Sequence, residues 1–140
     1  RELKLEDSAR FHGWLPRTAL APLYRGAHVI LFPASSSEGW PKVLSEGMAY
    51  GAVPLAGDVS CIRQFLSDFG MGDAFTPDDL VSFADAISGY ITNPAEWCFE
   101  SQRAVRAAKR FGYSNFVETV GNVLGIAERP SHTVATEVHS

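Results

Sequence analysis

Two short stretches, His28 to Pro33 ("HVILFP") and Ala52 to Asp58 ("AVPLAGD"), are apolar at successive positions, where a strand wet on one face would alternate. Continuous runs of that length suit strands buried on both faces of a parallel sheet. Parallel neighbours need crossovers, and amphipathic stretches lie where crossovers belong. "PRTALAPLYRGA" precedes the first run, with Ala19, Leu20, Leu23 and Tyr24 on one face and Pro22 as a point of kinking or shortening. "KVLSEGMAYG" joins the two runs as a helix closing at Gly51, and "SCIRQFLSDFG" follows the second, with Ser60 in the N-cap position. "DAFTPDD" gives a last short strand. It leads into a helix whose Leu80, Phe83, Ala84, Ile87 and Tyr90 keep helical spacing, and further helices are predicted over 94–110 and 114–125. "ARFHGWL" reads as an additional strand ending at Gly13. The expected fold is therefore α/β, a partial Rossmann-like parallel sheet with flanking helices, in one domain over residues 1–127. The segment 128–140 has no periodicity and is expected to be a mobile tail.

A chain of 140 residues can bury a conventional apolar core without cross-links. Cys61 and Cys98 have no metal-ligand spacing and sit among apolar neighbours, which predicts reduced core residues and a cytoplasmic setting. No window reaches membrane-spanning length, and "RELKLEDSAR" lacks the apolar run of a signal peptide. With a net charge of -4 and no basic cluster in the sequence, nucleic acid is not an expected partner. His12, His28, His132 and His139 are scattered, so no metal is expected.

The chemistry concentrates in Glu38 to Gly51, "EGWPKVLSEGMAYG". This segment follows the first buried strand, and parallel sheets bind ligands at the carboxyl ends of their strands. Gly39, Trp40, Lys42, Val43 and Leu44 can aim backbone N–H groups outward from the positive end of a helix dipole, while Pro41 suits the first helical position. Glu46 lies about 7.5 Å along that helix, and its side chain leans back toward the N-terminus, so Glu38 and Glu46 can face one site. N–H groups suit an anion and carboxylates suit hydroxyl donors. A phosphate flanked by polyols, as in a sugar nucleotide, fits that layout. Simpler readings stand beside this one: Glu46 as an acid complementing the dipole, Glu38 as a loop charge, Ser35 to Ser37 as an ordinary loop, and Arg17, Arg25 and Lys42 as solvated cations. Trp14 and Trp40 are candidates to stack on a base or sugar, whereas Trp97 reads as core.

The segment "FPASSSEGWPKVLSEGMAYGAVPLAGD" resembles the signature of retaining glycosyltransferases of family 4, enzymes of the GT-B fold with two facing Rossmann-like domains. The similarity runs over about residues 8–125, with "ARFHGWLPRTALAPLYRGAHVILFP" before the signature and "GDAFTPDDLVSFADAISGYITNP" and "RFGYSNFVETVGNVL" after it. The resemblance implies that Glu38 binds hydroxyls of the transferred sugar and is the residue of the pair that matters for catalysis. It implies that the backbone N–H groups of Gly39, Trp40 and Lys42 meet the same sugar, that those of Val43 and Leu44 hold the pyrophosphate, and that Glu46 binds the ribose. Phe11, Gly13 and Leu15 would lie near the nucleobase. Trp40 and Pro41 vary from residues common in the family, which leaves the sugar open.

The reaction implied is transfer from a nucleotide-sugar donor to an acceptor hydroxyl with retention, needing no cofactor and no metal. The family's diphosphate-binding Arg and Lys and its N-terminal acceptor domain are not matched here, so the segment alone is expected to be inactive. In the family's sheet order the strand near Phe11 is separated from "HVILFP" by unmatched strands, which predicts a gap, a rearranged pairing, or an edge completed in a homo-oligomer. Any peripheral membrane contact would come only through the unmatched regions. The competing reading is a non-catalytic nucleotide-binding or interaction module. A dinucleotide oxidoreductase is disfavoured, because no strand leads into G-x-G-x-x-G.

Overall fold

A computed structural model describes residues 8–36 and 39–125. In order these form α1 (Arg17–Gly26), β1 (Val29–Phe32), α2 (Lys42–Ala49), β2 (Val53–Gly57), α3 (Ile62–Phe69), β3 (Asp73–Phe75), α4 (Leu80–Thr92), α5 (Pro94–Ala108), a 3-10 turn (Lys109–Phe111) and α6 (Tyr113–Leu124). Among the described residues the strands make one parallel sheet in the order β1-β2-β3, with Val29 opposite Val53 and Leu55 opposite Asp73. Ser37, Glu38 and the segment from Glu128 lie outside the described residues.

The consecutive apolar run of β2 is explained by its central place, where every residue is buried. A proline in such a strand requires that no ladder bond be asked of its nitrogen. Val53 N–H donates to His28 O toward β1 and Asp58 N–H to Phe75 O toward β3, so by alternation the Pro54 nitrogen faces the β3 side. Pairing there begins only at Leu55, one residue later. Gly72, with φ +59°, completes the fit, since a Cβ on it would lie 2.0 Å from Pro54 O.

One core lies on the face of the sheet covered by α2, α3 and α5, where Leu44, Met48, Ile62, Leu66, Ala104 and Ala107 meet Ala56, Ala74 and Met71. Ile30 and Phe32 pack on the same core. The opposite face meets α4 through Phe75 and Phe83, whose ring centres are 5.1 Å apart.

Several expectations need correcting. Residues 9–16 are irregular rather than a strand, and Phe11 is fully exposed, because no described strand is placed to accept its backbone bonds. β1 is not buried on both faces: Val29, Ile30 and Phe32 are half-buried and Leu31 is 51% exposed, since the strand is the edge of the described sheet. Pro41 is the N-cap of α2 rather than its first residue. Ser60 takes φ 54° one residue before the α3 N-cap at Cys61, so it does not cap the helix. Of the predicted α4 face, Phe83 is buried and Ile87 and Tyr90 are half-buried, but Leu80 and Ala84 are exposed. Cys98 is exposed and Cys61 half-buried, so neither is a plain core residue. α1 continues past Pro22 to Gly26.

Candidate functional site

The carboxyl ends of the three strands release the loop before α2, the turn before α3 and the turn before α4, which together form one rim. Two backbone segments touch closely there. A Cβ on Gly57 would lie 2.2 Å from Ala34 O, so the bare end of β2 is what admits the loop that follows β1. Arg63 ties the other side of the rim, bonding Asp58 Oδ2 at 2.6 Å through Nε, donating to Ala74 O, and facing Asp73 Oδ1 at 3.8 Å.

α2 starts from this rim with no side-chain cap on its N-cap residue Pro41. Leu44 N–H donates to Pro41 O at 3.1 Å, while the Lys42 and Val43 N–H groups have no acceptor among the described residues. Those two donors, at the positive end of the helix, are suited to an anion. An anion drawing on Leu44 as well would share or replace its bond to Pro41. Gly39 has φ 152°, a backbone setting that favours glycine, immediately before Trp40.

Trp40 has a different role from the stacking on base or sugar weighed in the sequence. Its indole is half-buried, 4.9 Å from Phe111 and nearly parallel to it, and 4.9 Å from Phe65 at 40°. Its Nε1 is buried without a hydrogen-bond partner among the described residues. The residue therefore fixes the start of α2 by packing, with one face of the ring taken up by Phe111. Trp97 is half-buried and donates through Nε1 to His28 O at 2.8 Å, while Trp14 is exposed.

Glu46 is on the second turn of α2 and faces a cavity of about 240 Å³ between α1 and α2, lined also by Arg17, Leu20, Ala21, Tyr24 and Tyr50. Tyr24 Oη donates to Glu46 Oε2 at 3.2 Å, and Lys42 Nζ stands 3.8 Å from Glu46 Oε1. Lys42 is 81% exposed, and with the cation on the N-terminal side the i,i+4 pair has its weaker orientation, so the ion pair contributes little. Burial, then the Glu46 carboxylate, raises the Tyr24 hydroxyl above its ordinary pKa and keeps it a donor. The Tyr24 ring stacks on Tyr50 at 5.7 Å, and Arg25 lies over the Tyr50 ring at 5.8 Å. Arg17 is thus a cavity residue and Arg25 a stacking one.

Trp40 precedes the N-terminus of α2, where Lys42, Val43 and Leu44 form the first turn. Glu46 is one turn further on and faces a cavity that runs toward the C-terminal end of the helix, past Ala49 and Tyr50, and that is lined by none of Trp40, Lys42, Val43 and Leu44. Glu38 lies outside the described residues. The sequence reading missed that Tyr24 orients Glu46, a contact across 22 residues, and missed Tyr50; two tyrosines flanking the helix that carries Glu46 were the available signal. Among the described residues no group of three His, Cys, Asp or Glu side chains gathers as a metal site.

The family model described as "Glycosyl transferases group 1" matches residues 1–111. The chain belongs to this glycosyltransferase family. Two curated relatives are similar over most of it: D-inositol 3-phosphate glycosyltransferase of Kribbella flavida, 30% identical over 98% of this chain, and D-inositol 3-phosphate glycosyltransferase 2 of Catenulispora acidiphila, 31% identical over 81%. The glycosyltransferase chain spans 31% and 26% of their lengths. Its fold matches part of a solved sucrose-phosphate synthase from Thermosynechococcus elongatus with a TM-score of 0.75 at 22% identity, covering 86% of this chain and 30% of that one. The α/β unit described above is thus a GT-B C-terminal domain.

Proposed function

We propose that this segment binds the nucleotide-sugar donor of a retaining glycosyltransferase of the family 4 type. The observation that carries the reading is Glu46, held by Tyr24 at the edge of a cavity between α1 and α2, one helical turn from the Lys42 and Val43 N–H groups that have no described acceptor. Glu46 accepts hydrogen bonds from ribose hydroxyls, the Val43 and Leu44 N–H groups hold the diphosphate, the Gly39, Trp40 and Lys42 N–H groups meet the sugar, and Glu38 accepts from hydroxyls of the sugar. As the bond from the anomeric carbon to the diphosphate oxygen breaks, negative charge grows on that oxygen. Backbone donors and the helix dipole stabilise it as it develops, and this requires no metal. The acceptor and the remaining diphosphate contacts come from regions outside this segment, which by itself does not turn over.

Calorimetry on the full-length protein tests the assignment. Glu46→Ala should weaken nucleoside diphosphate and sugar nucleotide alike, by about tenfold to a hundredfold, as expected for a lost bond to a charged carboxylate. Glu38→Ala should weaken only the sugar nucleotide and lower turnover more than Glu46→Ala. Unchanged diphosphate affinity in Glu46→Ala would overturn the ribose role.

A further inference from the structure

The donor reading makes no use of the far side of α5. Arg103, Arg106 and Arg110 recur there at three- and four-residue spacing, one stripe from α5 into the 3-10 turn, a basic cluster where none was expected from the sequence. With Phe69, Phe99 and Ala107 they line an open groove of about 530 Å³. None of these residues belongs to α2 or to the loop before it.

Two of the guanidinium groups are held in place. Arg103 lies 4.9 Å over the Phe99 ring and Arg110 5.3 Å over Phe69, cation–π contacts that hold the two cations at the groove. Arg103 also donates to Gly70 O at 3.0 Å. A Cβ on Gly70 would lie 2.1 Å from Arg103 Nη1, so the glycine ending α3 is what admits this guanidinium.

Among the described residues none of the three arginines is paired with a carboxylate. Glu100, on the same helix, is committed to Gly72 N–H at 2.6 Å and Tyr90 Oη at 2.7 Å. The negative end of α5 offsets part of the positive charge at Arg106, in its last turn, but Arg103 lies further from that end. Three unneutralised cations facing one concavity, in a chain of net charge -4, favour an anion between them. Planar forks select oxyanions that accept two parallel bonds, of which a phosphoryl group is the best match.

We propose that this groove is a second anion site, selective for a phosphoryl group presented by a soluble phosphorylated compound or a lipid headgroup. Titration of the full-length protein with inorganic phosphate, with nucleoside diphosphate saturating the α2 site, tests the soluble source. Co-sedimentation with phosphatidylglycerol vesicles, against phosphatidylcholine vesicles, tests the headgroup. Saturable binding is expected in at least one arm, with Arg106→Gln weakening it about tenfold. Arg106 makes no described contact that folding needs, so this variant remains interpretable even if a triple Arg103→Gln, Arg106→Gln, Arg110→Gln protein unfolds. Binding absent from both arms, or unchanged in Arg106→Gln, would overturn the proposal.

Discussion

The indole of Trp40 and the ring of Phe111 lie 7° from parallel with centres 4.9 Å apart, so the start of α2 and the turn after α5 form one packing unit across 71 residues of chain. The contact sets where the α2 N–H groups point. Trp40→Ala should cost about 3 kcal/mol in urea unfolding, since a large side chain leaves a cavity beside Phe65 and Phe111. Trp40→Phe should stay within about 1 kcal/mol, because relief of the unpaired Nε1 offsets the lost area.

Tyr24→Phe removes the hydroxyl that holds Glu46 Oε2 and leaves the stack on Tyr50 intact. Nucleoside diphosphate affinity should fall about threefold to tenfold, the size of one modest hydrogen bond, with thermal stability nearly unchanged. An affinity equal to wild type would mean that Glu46 needs no orienting partner.

The Tyr90 hydroxyl is half-buried against Glu100, and burial, then that carboxylate, raises its pKa well above the ordinary 10.0. A raised folded value means that stability is fully present below pH 10.0 and is lost as pH climbs above it. Unfolding followed against pH should show this alkaline loss in wild type and not in Tyr90→Phe. At neutral pH, Tyr90→Phe should cost about 1–2 kcal/mol by depriving Glu100 of a donor.

Asp79 caps α4, accepting from the Ser82 hydroxyl at 2.6 Å and the Ser82 N–H at 3.1 Å, and the hydroxyl bond is the main reason its pKa lies below the ordinary 3.8. A lowered folded value means that this contribution is present above pH 3.8 and is lost as pH falls through the lower native value. Asp79→Asn keeps a capping oxygen without a titrating group. Its melting temperature should therefore fall less than that of wild type on acidification.

Much of this arrangement is legible in the sequence because burial by a central strand leaves a direct mark. β2 is apolar at each position and fully buried, and the helical spacing from Pro41 puts Glu46 on the second turn of α2. Features that depend on a distant neighbour leave no such mark. "ARFHGWL" has strand composition, yet without an adjacent strand its backbone stays irregular, and Leu31 is exposed for the same reason. Ser60 at φ 54° could not be read from a residue type that rarely adopts it. The aromatic residue between Gly39 and Pro41 suggests ligand stacking as readily as packing, and only the positions of Phe65 and Phe111 decide for packing.

Pro54 gives β2 a fixed origin of measurement. A parallel ladder can slide by two residues and keep the same side chains on the same faces, so burial alone does not exclude such an error. Sliding β3 back by two would require the Pro54 nitrogen to donate to a β3 carbonyl, which it cannot do. The misaligned sheet would lose a bond at its most buried strand. One imino acid thus acts as a stop against which the third strand is aligned, and the turn positions of Asp58 and Thr76 relative to α2 follow from it.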